Sequence, residues 1–161
     1  MTSTLAVPES LHALRSKHLL SLKLQISAVQ KVAAPDGGIV VGVVSGGHFE
    51  GPQLQGRVLS GGSDWQRVLP DGSLRLDCRI VLETTGGALI AMTYQGIRAG
   101  SPTVFERLAA GEAVDADEYY LRINPLFETR SPEYSWLNRV VAVGAGHRLP
   151  DGPVYKVFEV L

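Results

Sequence analysis

The sequence predicts an all-β, mainly antiparallel fold: a single closed or nearly closed β-barrel of about eight strands with one or two short helices. Three observations lead there. Apolar and polar residues alternate over much of the 161-residue chain, as half-buried strands require. Gly, Pro and Asp gather at the breaks between alternating runs, and only two short segments carry helical signals. So many strands in so short a chain favour closure, because a barrel has no edges left to pair with a neighbour.

The elements follow in order. Residues 8–16 (PESLHALRS) have the composition of two helical turns and fall within an N-terminal extension, 1–17, flexible or short-helical, of a single domain covering 1–161. In 19–28 (LLSLKLQISA), Leu20, Leu22, Leu24, Ile26 and Ala28 share one face while Ser21, Lys23, Gln25 and Ser27 share the other. Similar runs at 38–45, 54–60, 74–84, 88–96, 118–123, 138–144 and 154–161 predict the remaining strands. Turn chemistry separates them at Pro70-Asp71-Gly72-Ser73, Gly86-Gly87 and Pro150-Asp151-Gly152-Pro153. A helix is predicted at 102–110, with Ser101 as N-cap, Pro102 at the first helical position and Gly111 just past the end. The last strand runs to Leu161, which suits pairing with the first. The stretch Gly61-Gly62-Ser63-Asp64-Trp65-Gln66 reads as a connection between two strands and as the rim of a site.

Bulk properties exclude several partners. Fifteen basic and 16 acidic residues give a net charge of -1, with no block of like charge to meet a phosphate backbone, so no nucleic acid is expected. The N-terminal residues lack a signal-peptide pattern, and no apolar run reaches the roughly 18 residues of a membrane span. Cys78 is the one cysteine; it stands in phase with apolar neighbours and reads as a small buried hydrophobe. A reducing cytoplasm fits best. A homo-oligomer is left open.

No phosphate-cradling loop is present; the nearest glycine-rich piece, GAGHR at 144–148, lacks the third glycine and the following helix. Gly61-Gly62-Ser63-Asp64-Trp65 ends in tryptophan and is no nucleophile elbow. His12, His18, His48 and His147 are scattered without metal-ligand spacing. Neither a cofactor nor a metal is expected.

Alternation also assigns a polar face. In 74–84, Asp77 and Arg79 stand opposite the apolar set Leu74, Leu76, Cys78, Ile80 and Leu82; in 118–123, Tyr120 and Arg122 stand opposite Tyr119, Leu121 and Ile123. Such residues ordinarily face solvent, where ion pairs contribute at most about 1 kcal/mol. If this face instead lines the lumen, arginine's planar fork holds a carboxylate, phenolate or enolate while tyrosine donates a hydrogen bond.

These segments, with others, carry a resemblance. The elements G-G-x-F-x-G-P, G-G-x-D-W, a D-x-R strand, Y-Y-x-R followed by P-x-F-E-T, and Y-x-W-L-N occur in that order from about residue 18 onward. In that order and spacing they resemble the DUF3237 family, also called UPF0311. The resemblance implies a compact β-barrel with little helix and no established activity. Many relatives read T-D-D-G-A-L-I where this chain has Thr84-Thr85-Gly86-Gly87-Ala88-Leu89-Ile90, so no role of those two acids carries over.

The expected site is a small-molecule pocket at one barrel end, working by proton transfer. Asp64, Asp77 and Tyr120 are the catalytic candidates, and Glu50, Trp65, Arg79, Arg122, Trp136 and Asn138 the substrate-binding ones. Asp64 is the better base candidate, since Asp77, next-but-one to Arg79, reads as the positioning or ion-paired acid. The chemistry expected is that of a cofactor-independent isomerase, cyclase or lyase on an aromatic or carbonyl-bearing metabolite. The same residues also suit a non-catalytic binding barrel or a structural module.

Overall fold

In the computed structural model, which describes residues 5–161, the alternating segments become nine antiparallel strands. Strands β1 (Ser16–Ala34) and β2 (Gly37–Glu50) form a long hairpin. They are followed by β3 (Gln55–Val58), β4 (Gly62–Val68), β5 (Leu74–Thr84) and β6 (Leu89–Ala99). Helix α1 (Pro102–Ala109), then β7 (Tyr120–Glu128), a 3-10 helix (Pro132–Arg139), β8 (Ala142–Leu149) and β9 (Gly152–Val160) complete the chain.

Each strand pairs with the next around a ring, and β9 pairs back onto β1 from Ser16↔Val160 to Lys23↔Val154. Eight positions close the ring because β3 and β4 share one of them. The early part of β2 pairs with β4, and His48–Glu50 pair with β3. On the other side, β5 receives β4 at Leu74–Arg79 and β3 at Leu82–Thr84. Gly72 (φ 84°) closes the β4–β5 turn and Gly87 (φ 87°) the β5–β6 turn, a backbone region open chiefly to glycine.

The apolar face of every strand turns inward. Leu20, Leu22 and Leu24 of β1, Leu74, Leu76, Cys78, Ile80 and Leu82 of β5, and Ile90 and Met92 of β6 are all buried. Helix α1 lies over one end, joining β6 to β7, with Ser101 Oγ accepting the Val104 N–H at 3.3 Å as the predicted cap. The 3-10 helix joins β7 to β8 at the far end, with Tyr134 and Leu137 buried beneath it.

Three local expectations change. Residues 8–16 hold one short 3-10 turn at Glu9–Leu11, and β1 begins at Ser16. Leu11 and Leu14 are 68% and 81% exposed, so an isolated two-turn helix gains no burial to offset its nucleation. The stretch taken as a connection at 61–66 belongs largely to β4. The strand expected from residue 138 starts at Ala142, because Asn138 and Arg139 finish the 3-10 helix. Among the described residues, no helix is long and apolar enough to cross a membrane.

Candidate active site at the α1 end of the barrel

The inward face is not wholly apolar. Register places Asp64 of β4 opposite Cys78 of β5, and Cys78 opposite Tyr94 of β6, so the three form one row around the inner wall. Four residues nearer α1, the row is Val68, Leu74 and Arg98. Gln66 lies between these rows on β4. Tyr155 of β9 and Arg148 of β8 complete the polar set, Tyr155 facing Gly146 across the ladder.

Asp64 is 3% exposed. Its Oδ2 accepts a hydrogen bond from Gln66 Nε2 at 3.0 Å, while Oδ1 is buried with no hydrogen-bond partner. Burial pushes the carboxyl pKa above its ordinary range. The Gln66 hydrogen bond, then Arg148 and Arg98, pull it partly back, and the negative charge of Asp77 on the outer face adds a small push upward. No cation stands within 4 Å of it among the described ion pairs. The carboxyl therefore holds its proton more tightly than a surface aspartate does.

Arg98 lies 5.4 Å over the Phe105 ring of α1, and its Nε is buried without a hydrogen bond. Burial and the like charge of Arg148 both lower its pKa, yet guanidinium stays cationic in proteins. Arg148 is fixed through its backbone: its N–H donates to Tyr119 Oη at 2.6 Å, and Tyr119 Oη is 2.9 Å from His147 Nδ1. With the phenolic oxygen accepting from Arg148, its own proton is free to go to the imidazole nitrogen. Tyr94 and Tyr155 pack with ring centroids 5.5 Å apart, and burial raises both phenol pKa values. Cys78, beside them, is likewise pushed up by burial, which keeps it a neutral thiol.

Above this cluster a cavity of about 530 Å³ opens under α1. Lys31, Gln66, Arg98, Glu112 and Arg148 supply its polar wall; Val40, Phe105 and Leu108 are among its apolar lining. The size and the mixture of an apolar wall with a few converging polar groups are those of a small-molecule site. Chemically, a carboxyl whose pKa burial raises, set behind a cavity wall bearing two cations able to hold an oxyanion, suits general acid–base catalysis.

Of the residues expected at a site, only Asp64 stands in the lumen. Trp65 points outward, 52% exposed, with its indole N–H on Ser63 Oγ at 3.1 Å. Asp77 and Arg79 face solvent on β5, and Tyr120 and Arg122 do so on β7. Arg122 stacks 4.9 Å over the Tyr120 ring and donates to the Leu121 carbonyl at 2.9 Å. The face bearing these arginines is thus the outer wall, because the apolar sets of β5 and β7 fill the interior.

Glu50, exposed at the close of β2, and Trp136, half-buried in the 3-10 helix, lie toward the far end of the barrel. Asn138, also there, is a structural clasp: its Oδ1 accepts the Thr129 N–H at 2.8 Å and its Nδ2 donates to the Thr129 carbonyl at 2.9 Å. The segments expected to meet at one end are therefore divided between the two ends and the outer wall.

Arg98 and Arg148 went unseen in the sequence. Their signal is phase: Arg98 continues the inward series Ile90, Met92, Tyr94, Gly96, and Arg148 the series Ala142, Gly144, Gly146. An arginine in step with apolar positions is a lumen residue.

Comparison with known proteins agrees with this architecture. The UPF0311 protein of Rhodopseudomonas palustris is 31% identical over 150 residues, 92% of this chain and 97% of that one. Its crystal structure, described as a conserved protein of unknown function, superposes with a TM-score of 0.89 and covers 92% and 99% of the two chains. A β-barrel-like protein of Acinetobacter baumannii AYE gives a TM-score of 0.80 at 36% identity, covering 99% of this chain and 100% of that one. A hydroalkoxylation enzyme of Penicillium herquei is 31% identical over 108 residues, 67% of this chain and 57% of that one. The model of the family described as protein of unknown function DUF3237 matches residues 14–160, and the chain belongs to that family, also named UPF0311.

Proposed function

We propose that the protein is a cofactor-independent cyclase, isomerase or lyase acting by proton transfer on an aromatic or carbonyl-bearing small molecule in the cavity beneath α1. The observation that carries this reading is Asp64: a carboxyl buried in the lumen, held toward its neutral form, with one oxygen unpartnered. Burying a carboxyl oxygen without a partner costs stability, and perturbed acids in clefts mark acid–base sites. Arg98 and Arg148 supply positive charge for a developing oxyanion, and Gln66 orients the acid through Oδ2.

The Penicillium herquei relative bears the name of an addition of an O–H group across a carbon–carbon multiple bond. Such a reaction is redox-neutral. The acid gives its proton to one alkene carbon, the hydroxyl oxygen bonds to the other, and the hydroxyl proton returns to the carboxylate. Asp64 suits both halves of that cycle.

The test is turnover of an unsaturated phenol, 2-allylphenol, and of cyclic enones in D2O, followed by mass spectrometry and NMR. Wild type is expected to form product carrying one carbon-bound deuterium. Asp64→Asn, which keeps the shape and loses the acid, should slow this by about 10²- to 10⁴-fold. Equal turnover by Asp64→Asn overturns the assignment, and saturable binding without any product in wild type marks a binding barrel instead.

A further inference from the structure

The cavity beneath α1 is short of negative charge. Its lining contains three cations, Lys31, Arg98 and Arg148, and one carboxylate, Glu112. Glu112 is already engaged by Arg107 at 3.6 Å. Asp151, whose field reaches Arg148, is held by Lys23 at 2.6 Å. Asp64 sits deeper, outside the cavity's lining and in no ion pair among the described residues, and burial raises its pKa. Arg98 and Arg148 are thus two neighbouring like charges on the inner wall with no acid in contact range among the described ion pairs, and Arg98 keeps a buried Nε unsatisfied.

Bringing two guanidinium groups together out of water is unfavourable, and the arrangement is stabilised when an anion sits between them. Apart from Gln66, the remaining side chains of the lining are apolar, among them Ile26, Val40, Val68, Phe105, Leu108 and Leu149. Arginine's planar fork selects oxygen anions over other groups, since two parallel N–H donors match a carboxylate.

We infer that the molecule taken up under α1 is a flat organic monoanion, its carboxylate held by Arg98 and Arg148 and its apolar body packed against Phe105 and Leu108. This rests on the proposed use of the same cavity as the reaction site and adds the charge class of the substrate. It also gives a division of labour, in which the arginines hold the anionic group and Asp64, two inward-facing rows deeper, meets the part of the molecule that reacts.

The experiment uses two probes of one shape, 2-naphthoate and neutral 2-naphthamide, with binding followed by calorimetry and by thermal shift. Naphthoate should bind at least about tenfold more tightly than the amide, the range expected for charge-assisted hydrogen bonds. Arg98→Gln and Arg148→Gln should each remove that preference, and Arg148→Lys should restore part of it. Cooperative melting of each variant shows that the fold survives, and the lysine variant covers the case in which a glutamine variant does not fold.

Equal binding of acid and amide, no binding of naphthoate to wild type, or a preference that persists in both glutamine variants would overturn the inference. Asp64→Asn separates it from the catalytic reading. If that variant binds naphthoate as wild type does, the anion site stands whether or not turnover is lost.

Discussion

At the scale of one residue, Asp64 decides the chemistry and also leaves a mark on stability. The groups that face it are Gln66 on its own strand, Cys78, Tyr94, Tyr155, Arg98 and Arg148 from the wall, and Asp77 through it. Because burial outweighs the arginines, the folded carboxyl binds its proton more tightly than the unfolded one. The stability that accompanies this proton is fully present below the unfolded pKa and is lost as pH rises through the folded one. Asp64→Asn carries no such loss. It should therefore melt a few degrees above wild type near pH 7, with the gap closing as pH falls below about 4, the ordinary aspartate value. Calorimetric melting across that range checks it. A variant that is less stable at neutral pH would mean that Asp64 is ionised in the folded state and held by Arg148.

At the scale of an element, phase along a strand separates wall from lumen, and it shows what the sequence made legible. β5 was readable to its end residues because its apolar set is unbroken: Leu74, Leu76, Cys78, Ile80 and Leu82 all point inward. β4 was not, since its inward set is Gly62, Asp64, Gln66 and Val68 while Trp65 points to solvent. A strand whose lumen face is polar gives an inverted hydrophobic signal, and here that inversion coincides with the candidate acid. Asp64 could be named from its neighbours in sequence. Arg98 and Arg148 could not be joined to it without the register that brings β4, β6 and β8 around one cavity. The same phase argument reverses the expectation for the outer arginines. Arg79→Ala and Arg122→Ala remove exposed side chains from β5 and β7, so each should leave naphthoate binding within about twofold and change stability by less than about 0.5 kcal/mol. Titration and denaturant melts measure both, and loss of binding in either variant would place the ligand on the outer wall.

At the scale of the whole molecule, a closed ring opens first at its thinnest seam. β5 and β6 share ten register pairs, whereas β7 and β8 share two, Arg122↔Ala145 and Ile123↔Gly144. Toward the far end the 3-10 helix occupies the space between the diverging strands, with Tyr134 and Leu137 buried and Ser131, Ser135 and Trp136 half-buried. Toward α1 the ladder gives way to a side chain, Tyr119 Oη, which accepts the Arg148 N–H at 2.6 Å where β7 supplies no carbonyl. One phenol thereby closes the ring and fixes the backbone that carries a lumen cation. Tyr119→Phe keeps the ring's bulk and leaves that amide unsatisfied, a loss of about 1–3 kcal/mol if the group stays buried. In hydrogen exchange, the amides of 145–149 should lose protection in this variant while those of β5 and β6 keep theirs, because local opening needs only the weak seam to part. Uniform loss across the sheet would show that the barrel opens as one unit, and unchanged exchange at Arg148 would show that water replaces the phenol at no cost. The first outcome would also couple closure to chemistry, since freeing residues 145–149 releases Arg148 from its place beside Arg98 and Asp64.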